Sequence, residues 1–182
     1  MVSQNMDKVI LTAQELLDDS FRLGIKVIES QFEPTLLVAI WRGGASVAVA
    51  IHELMVYQGF KLDHTIIKAS SYSGTEQSNH IVIEGMNNII DRITKNDRLL
   101  IVDDIFDTGR TIVSVLQALR EGCGENTAED IRVATPWYKP AKNNTDIIPD
   151  YYLHTTDKWV VFPHELDALT EDEIAIHRSV IS

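Results

Sequence analysis

The stretch "RLLIVDDIFDTGRT" (98–111) changes character abruptly in its middle. A run of apolar residues leads straight into Asp103 and Asp104, and a third carboxylate follows at Asp107. A continuous apolar run is typical of a strand that is buried on both faces of a parallel sheet. Ligands collect at the carboxyl ends of such strands. The stretch therefore predicts a sheet of the α/β kind with a polar site at this strand end.

The rest of the chain alternates between apolar runs and helical patterns. Strands are predicted in "TLLVAIW" (35–41), "HTIIKA" (64–69), "IRVATPWY" (131–138) and, as a pair, "YYLHTT" and "WVVFP" (151–156 and 159–163). A first helix is expected to begin at a capping box of Thr12 and Glu15 and to end at Pro34. Strands alternating with helices favour a mainly parallel central sheet flanked by helices.

Length and charge limit the functions that the chain can have. With 182 residues and 45% hydrophobic composition, one domain with a sizeable core is expected over 1–182. Sixteen basic residues against twenty-seven acidic ones give a net charge of -11. Such a chain repels a nucleic-acid backbone, so we expect no nucleic-acid partner.

The sequence also favours a particular compartment. Cys123 is the only cysteine, so a disulfide framework within the chain is excluded and a reducing interior is indicated. The first residues, "MVSQNMDKVILTAQEL", have neither the apolar core of a signal peptide nor that of a membrane anchor. We expect a cytoplasmic protein without a membrane partner.

Two adjacent parts of the quoted stretch have complementary chemistry. Asp103 and Asp104 repel one another, so hydroxyl groups or a cation should lie between them, and a ribose diol with Mg²⁺ satisfies both. The following Thr108-Gly109-Arg110-Thr111 offers backbone N–H groups, two hydroxyls and a helix N-terminus, which suit a phosphate. Together they describe a site for a sugar phosphate.

Two other interpretations of these residues remain open at this point. In the simplest one, Asp and Thr merely cap the following helix, as they often do at strand-to-helix turns. In the other, Asp-Asp-x-x-Asp is the pair by which isoprenoid synthases hold Mg-diphosphate. Those pairs lie on helices, whereas "LLIV" before and "TGRT" after place this one after a strand.

The motif "LLIVDDIFDTGRT" strongly resembles the phosphoribosyl-diphosphate motif of type I phosphoribosyltransferases. The resemblance implies the fold of that family and donor binding by Asp103, Asp104 and the residues from Thr108 to Thr111. "IWRGGASVAVAI" (40–51) resembles the family's diphosphate loop, with Arg42 and Gly43 binding the donor. In that loop a cis peptide bond is expected between Trp41 and Arg42.

A polar stretch is similar to the loop that closes over the active site in this family. It reads "ASSYSGTEQSNH" (69–80), and Ser71 and Tyr72 match the family's Ser-Tyr pair, which binds the donor. Closure of the loop would exclude water from a reactive sugar cation.

Two later segments resemble purine-specific members. "WYKPAKN" is similar to the segment in which xanthine-guanine enzymes contact the exocyclic purine oxygen through a lysine, here Lys139. "DKWVVFPHE" resembles the segment that stacks an aromatic residue on the base, here Trp159, and whose main chain reads the base edge, here at Val160. The implied acceptor is a 6-oxopurine: hypoxanthine, guanine or xanthine.

The resemblance also implies a division of catalytic work. Mg²⁺ would be held by Asp104 and Glu165, and Asp107 would act as general base on a purine ring proton, which is typically worth ~10²–10⁴-fold in rate. The chain departs from relatives that place an arginine soon after Glu165, so Arg42 would carry that role unless Arg178 reaches back. His164 replaces a second aromatic residue of some relatives, which leaves the preferred purine open.

The resemblance completes the expected architecture. The single domain would have a core over about 33–140 and a small hood built from the C-terminal segment, with or without the N-terminal helix. Homo-oligomers, dimers or tetramers, are usual in the family. Two alternatives are a regulatory protein that senses phosphoribosyl diphosphate, which the charge of -11 opposes if it must bind nucleic acid, and an enzyme for another base.

Overall fold

The structure, a computed structural model, describes residues 7–72 and 80–181, and of residues 71, 72 and 80 it describes only the backbone. The strands are β1 (Lys8–Ile10), β2 (Leu36–Trp41), β3 (Asp63–Tyr72), β4 (His80–Glu84), β5 (Arg98–Val102), β6 (Ile105–Phe106), β7 (Asp130–Ala134), β8 (Trp137–Tyr138), β9 (His154–Thr155) and β10 (Trp159–Val161). The helices are α1 (Ala13–Glu29), α2 (Gly43–Tyr57), α3 (Asn87–Ile90), α4 (Arg110–Cys123) and α5 (Glu171–His177).

The central sheet has five strands in the order β4-β3-β2-β5-β7. Strands β3, β2, β5 and β7 are parallel, and only the edge strand β4 is antiparallel. The prediction of an α/β fold with a mainly parallel sheet is confirmed. Because the strands are parallel, the chain leaves β2 and β5 at the same edge of the sheet, which brings their polar ends together.

The middle strands are buried on both faces, as their apolar runs predict. Leu37 and Val102 face the layer formed by α1 and α2, while Val38 and Ile101 belong to a second cluster with α3 and α4. The expected capping box of Thr12 and Glu15 starts α1. The helix ends at Glu29, earlier than the predicted boundary at Pro34, because Ser30 caps it and Gln31 takes a positive φ of 62°.

Two smaller sheets lie beside the central one. One consists of β1 and β10, which pair in parallel and which we call the hood sheet; it joins segments near both ends of the described chain. The other has the order β6-β8-β9. It carries the chain from the end of β5 to the segment that contains Lys139.

Two predictions about strands were wrong. The run "IRVATPWY" is not one strand, since it divides into β7 and β8 at Thr135-Pro136, where proline has no N–H for the ladder. "YYLHTT" and "WVVFP" do not form a pair, because β9 pairs with β8 and β10 pairs with β1. In the ranges described, no helix has the length and apolar character needed to cross a membrane.

Candidate active site

The carboxyl end of β5 is built around the adjacent aspartates. The Asp103 N–H donates to the carbonyl of Ala134 on β7 at 3.2 Å, and the Asp104 N–H donates to Oδ1 of Asp103 at 3.0 Å. Loss of hydration at this enclosed strand end raises the pKa of Asp103 well above its usual value, and the charge of Asp104 raises it further. The site is thus prepared for a ligand that supplies hydroxyl groups or positive charge.

The loop after β2 lies directly against this acid strand end. A Cβ on Gly43 would come within 1.8 Å of Oδ2 of Asp104, and one on Gly44 within 2.4 Å of the Val102 carbonyl oxygen. Only glycine permits so close an approach at these two positions. The expected cis peptide between Trp41 and Arg42 is confirmed.

Arg42 is the cation of this loop. Its side chain is exposed, and it makes no hydrogen bond or ion pair with the residues that the structure describes. It follows β2 next to Gly43, so it stands at the same sheet edge as Asp104. Its guanidinium is therefore available to an anionic ligand at that edge.

The residues predicted to form a phosphate cradle lie at the start of α4. Gly109 has a φ of 79° as the residue before the helix and supplies no side-chain cap of its own. Thr108 Oγ1 lies 3.5 Å from the Arg110 N–H, and the carbonyl of Thr108 accepts from Asn144 at 3.1 Å. Uncapped amides at the N-terminus of a long helix attract phosphate oxygens.

An ion pair between a buried lysine and a partly exposed aspartate lies beside these residues. Lys139 has only 3% of its side chain exposed, and its Nζ is 2.9 Å from Oδ2 of Asp107. The same Nζ is 5.4 Å from the centroid of the Trp159 ring. The other oxygen of Asp107, Oδ1, is buried without a partner among the described residues. Three residues that were predicted separately are therefore brought together, with one acceptor left for a ligand.

The ion pair is positioned by the two smaller sheets. β6 pairs with β8, and the Lys139 N–H donates to the Phe106 carbonyl at 2.9 Å, which fixes Lys139 opposite the segment that carries Asp107. Trp159 begins β10 and is 37% exposed, so one face of its ring can receive a planar group. Val160 pairs with Val9 in the hood sheet and is buried.

His164 and Glu165 follow the hood sheet and differ in what they contact. His164 Nε2 is 3.4 Å from Oδ2 of Asp104, and its ring stacks on Phe162 at 5.7 Å. The carboxylate of Glu165 accepts the Phe162 N–H at 3.0 Å. The hood thus contacts the acid strand end through His164, while Glu165 stabilises the turn beside it.

Arg178 does not extend to the loop after β2 in this structure. Its guanidinium donates to the carbonyls of Phe162 at 3.1 Å and Leu11 at 3.4 Å, at the end of the hood sheet. Its contacts hold the C-terminal segment on the hood. Arg42 is consequently the residue that offers a positive charge at the loop after β2.

The Ser-Tyr pair falls at the limit of the described chain. The backbones of Ser71 and Tyr72 end β3, where they pair with Ile81 and His80 of β4. Their side chains, and residues 73–79 of the predicted closing loop (69–80), lie outside the described residues. Their role in donor binding stays a prediction.

The residues at the acid strand end fit a Mg²⁺ ion that binds together with a phosphorylated substrate. Mg²⁺ commonly binds one or two carboxylates together with substrate oxygens and water. Asp103 and Asp104 offer such carboxylates beside the cradle. The described residues contain no group of three or more His, Cys, Asp or Glu side chains arranged as a metal cage.

Sequence reasoning missed two features of the site. The contact between His164 and Asp104 joins residues that are 60 positions apart, and no local pattern marks it. Thr145 lies against Gly109, where a Cβ would approach its Oγ1 to 2.6 Å, and the sequence analysis assigns it no role. The sequence "NNT" (143–145) could have indicated this turn, because the side-chain oxygen of Asn143 accepts both the N–H and the hydroxyl of Thr145.

The chain is similar to known phosphoribosyltransferases along most of its length. The Phosphoribosyl transferase domain family matches residues 8–170. A hypoxanthine-guanine phosphoribosyltransferase of Lactococcus lactis is 30% identical over 173 residues, covering 92% of this chain and 88% of that protein. Its counterpart in Streptococcus mutans is 27% identical over 169 residues, with the same coverage.

A solved structure leads to the same family. The purine phosphoribosyltransferase of Pyrococcus horikoshii superimposes with a TM-score of 0.72 at 30% identity, over 91% of this chain and 99% of that one. This chain has the type I phosphoribosyltransferase fold and belongs to the phosphoribosyltransferase family.

Proposed function

We propose that the protein transfers the 5-phosphoribosyl group from phosphoribosyl diphosphate to a 6-oxopurine, as an enzyme of purine salvage. The observation that carries the proposal is the ion pair between the buried Lys139 and the partly exposed Asp107, beside the ring of Trp159. An ammonium group suits the exocyclic oxygen of a 6-oxopurine, a carboxylate oxygen accepts a ring N–H, and an aromatic face stacks on a planar base. The names of the relatives support a purine acceptor.

The donor would lie along the edge of the central sheet. Its 5′-phosphate would take the uncapped amides and hydroxyls from Thr108 to Thr111, and its ribose hydroxyls would take Asp103 and Asp104. Its diphosphate would meet Arg42 and the backbone of Gly43. Ser71 and Tyr72 would close over it. In this arrangement the two aspartates lie between the start of α4 and the loop after β2. The ribose likewise lies between the 5′-phosphate and the diphosphate in the donor.

The reaction would be a displacement at the anomeric carbon. The bond from this carbon to the diphosphate oxygen breaks, and its electron pair leaves with the diphosphate. A purine ring nitrogen forms the new bond from the opposite face, and a ring proton passes to Asp107. Lys139 holds Asp107 in place, while Trp159 and the main chain at Val160 orient the base.

When Mg²⁺ is bound with the donor, it neutralises charge on the departing diphosphate. Asp104 is the residue proposed to hold it. Glu165, the second predicted ligand, holds the Phe162 N–H on Oε2 and would contribute through its other carboxylate oxygen. The single cysteine and the phosphorylated donor favour a cytoplasmic reaction.

Product identification tests this proposal. The purified protein would be incubated with phosphoribosyl diphosphate, Mg²⁺ and one base at a time: hypoxanthine, guanine, xanthine, adenine or uracil. We expect chromatography to show a nucleoside monophosphate with at least one 6-oxopurine. A product with uracil alone would contradict the purine acceptor. Donor binding without any product would contradict the enzyme and favour the sensing protein.

A further inference from the structure

The last part of the described chain lies against the hood sheet without being buried there. It comprises residues 171–181, which follow the residues that the family matches (8–170), and we call it the α5 segment. None of these residues is buried, including those of the helix α5 itself. Burial of apolar surface therefore contributes little to the position of the α5 segment, and polar contacts have to hold it.

Arg178 connects the α5 segment to both strands of the hood sheet. Its Nη2 donates to the Phe162 carbonyl at 3.1 Å and to the Leu11 carbonyl at 3.4 Å. Leu11 directly follows β1 and Phe162 directly follows β10. A guanidinium presents several donors in a rigid plane, so one side chain can bridge two carbonyl groups. Arg178 thus ties the ends of the two hood strands together.

The start of the α5 segment is attached to the same sheet. Nζ of Lys8 on β1 lies 2.7 Å from Oε2 of Glu173, and only 12% of the Lys8 side chain is exposed. A sheet of two strands is marginally stable unless other elements support it. The α5 segment is one such support, and Arg178 is its contact at the end of the sheet nearest the candidate active site.

Phe162 connects Arg178 to that site. Its carbonyl, which accepts from Arg178, also accepts the Glu165 N–H at 3.0 Å, while its own N–H donates to Oε2 of Glu165 at 3.0 Å. Its ring stacks on His164, whose Nε2 lies 3.4 Å from Oδ2 of Asp104. A displacement of Phe162 would therefore displace the turn through which the hood contacts the acid strand end.

We propose that Arg178 is a positioning residue for the purine. By tying Phe162 to Leu11 it fixes β10, so that Trp159 at the start of this strand stays beside Lys139. The proposal rests on the proposed function, because it concerns affinity for the base. Without these bonds the hood would hold its position for only a fraction of the time, and the affinity of any ligand that needs the hood falls by that fraction.

Two ligands separate the hood from the rest of the site. Ribose 5-phosphate fits only the proposed donor side, whereas a 6-oxopurine nucleoside monophosphate also needs the base side. The nucleotide used is whichever of inosine, guanosine and xanthosine monophosphate binds the wild type most tightly. For Arg178→Ala we expect calorimetry to show about tenfold weaker binding of this nucleotide, as for a hood in position about a tenth of the time, and an unchanged Kd for ribose 5-phosphate.

Arg120→Ala is the charge-matched control, since Arg120 is exposed in the last turn of α4. It should bind both ligands as the wild type does. Arg178→Lys keeps the charge but loses the planar guanidinium, so the nucleotide should bind it more weakly than the wild type but less weakly than Arg178→Ala; it replaces Arg178→Ala if circular dichroism shows that variant unfolded. Equal weakening of both ligands, or unchanged nucleotide affinity in a folded variant, would overturn the proposal.

Hydrogen exchange tests the support of the hood without any ligand. Arg178→Ala should speed exchange of hood amides such as the Leu11 N–H, which donates to the Val161 carbonyl at 3.0 Å, while the amides of β5 stay protected. Wild-type exchange in the hood of this variant would overturn the role of Arg178. If the wild type binds none of the three nucleotides, the proposed function fails, and hydrogen exchange still decides whether Arg178 holds the hood.

Discussion

Gly43 is the residue at which the diphosphate loop touches the acid strand end. A Cβ there would lie 1.8 Å from Oδ2 of Asp104, so Gly43→Ala must displace either the loop or the carboxylate. We expect a loss of about 1–3 kcal/mol in unfolding free energy, the usual cost of overpacking. Donor affinity should also fall, because both displaced groups belong to its proposed site.

Chemical denaturation and donor calorimetry would measure these two losses. The control is Gln58→Ala, an exposed position at the other end of α2, where neither quantity should change. Gly43→Ala with wild-type donor affinity would show that the close approach has no part in binding.

Asp107 has one oxygen on Lys139 and one without a described partner. Asp107→Asn keeps the size of the side chain but removes its ability to take a proton. We expect turnover to fall by ~10²–10⁴-fold, the usual worth of a general base, with donor affinity nearly unchanged. Steady-state kinetics and donor calorimetry would be compared with Asp146→Asn in the exposed turn nearby. Equal losses of turnover and donor affinity would refute the catalytic role.

At the scale of elements, the hood sheet is held by contacts between the two ends of the chain. Lys8 of β1 contacts Glu173 of α5 at 2.7 Å and the Ala168 carbonyl at 2.9 Å. The hydrogen bond from Lys8 and that from the Thr170 N–H lower the pKa of Glu173 below its ordinary 4.5. Because its pKa is lowered on folding, Glu173 stabilises the fold fully at pH values above 4.5. This contribution is lost as the pH falls through the lowered pKa.

Glu173→Gln should therefore lower Tm at neutral pH, and the difference from the wild type should disappear in acid. Thermal unfolding across this pH range would measure it. Glu171→Gln, an exposed change in the first turn of the same helix, is the control and should show a smaller difference. A Tm difference for Glu173→Gln that persists in strong acid would rule out the ion pair as its cause.

The elements differ in how far the sequence predicts them. β5 is marked in the sequence by an apolar run, and α4 is marked by an amphipathic repeat. The sequence therefore predicts both elements. β1, β8 and β9 are two or three residues long, and β1 pairs with β10 some 150 positions away. A segment of two or three residues is too short to show a strand period, and nothing in it indicates a partner so far along the chain. The pairings within the two small sheets therefore could not be predicted from the sequence.

The same contrast holds for the site as a whole. Most of the proposed donor side lies within a few residues of two strand ends, so two local motifs, 40–51 and 98–111, predict it. The proposed base side combines Asp107, Lys139 and Trp159, which lie in three separate segments. Resemblance named each of them, but their mutual distances follow from β6, β8 and the hood sheet. The contact of His164 with Asp104 has no counterpart in the local sequence.

For the whole molecule, donor binding should stabilise the fold. A ligand at 100 times its Kd adds about 2.7 kcal/mol to the unfolding free energy. We expect phosphoribosyl diphosphate with Mg²⁺ to raise Tm in proportion to the logarithm of its concentration, and ribose 5-phosphate to raise it less. Differential scanning fluorimetry would measure both shifts, and equal shifts for the two ligands would contradict a diphosphate site at Arg42.

The most direct test of purine recognition by Lys139 compares kcat/KM for hypoxanthine or guanine between Lys139→Gln and Lys142→Gln. Lys139 is buried beside Asp107 and Trp159, whereas Lys142, three positions on, is exposed. We predict that Lys139→Gln lowers kcat/KM by about tenfold or more, since loss of a hydrogen bond to a charged group costs about 1.5–3 kcal/mol, and that it preserves donor affinity. Lys142→Gln should match the wild type. Unchanged kcat/KM in folded Lys139→Gln would contradict the claim that this lysine reads the purine.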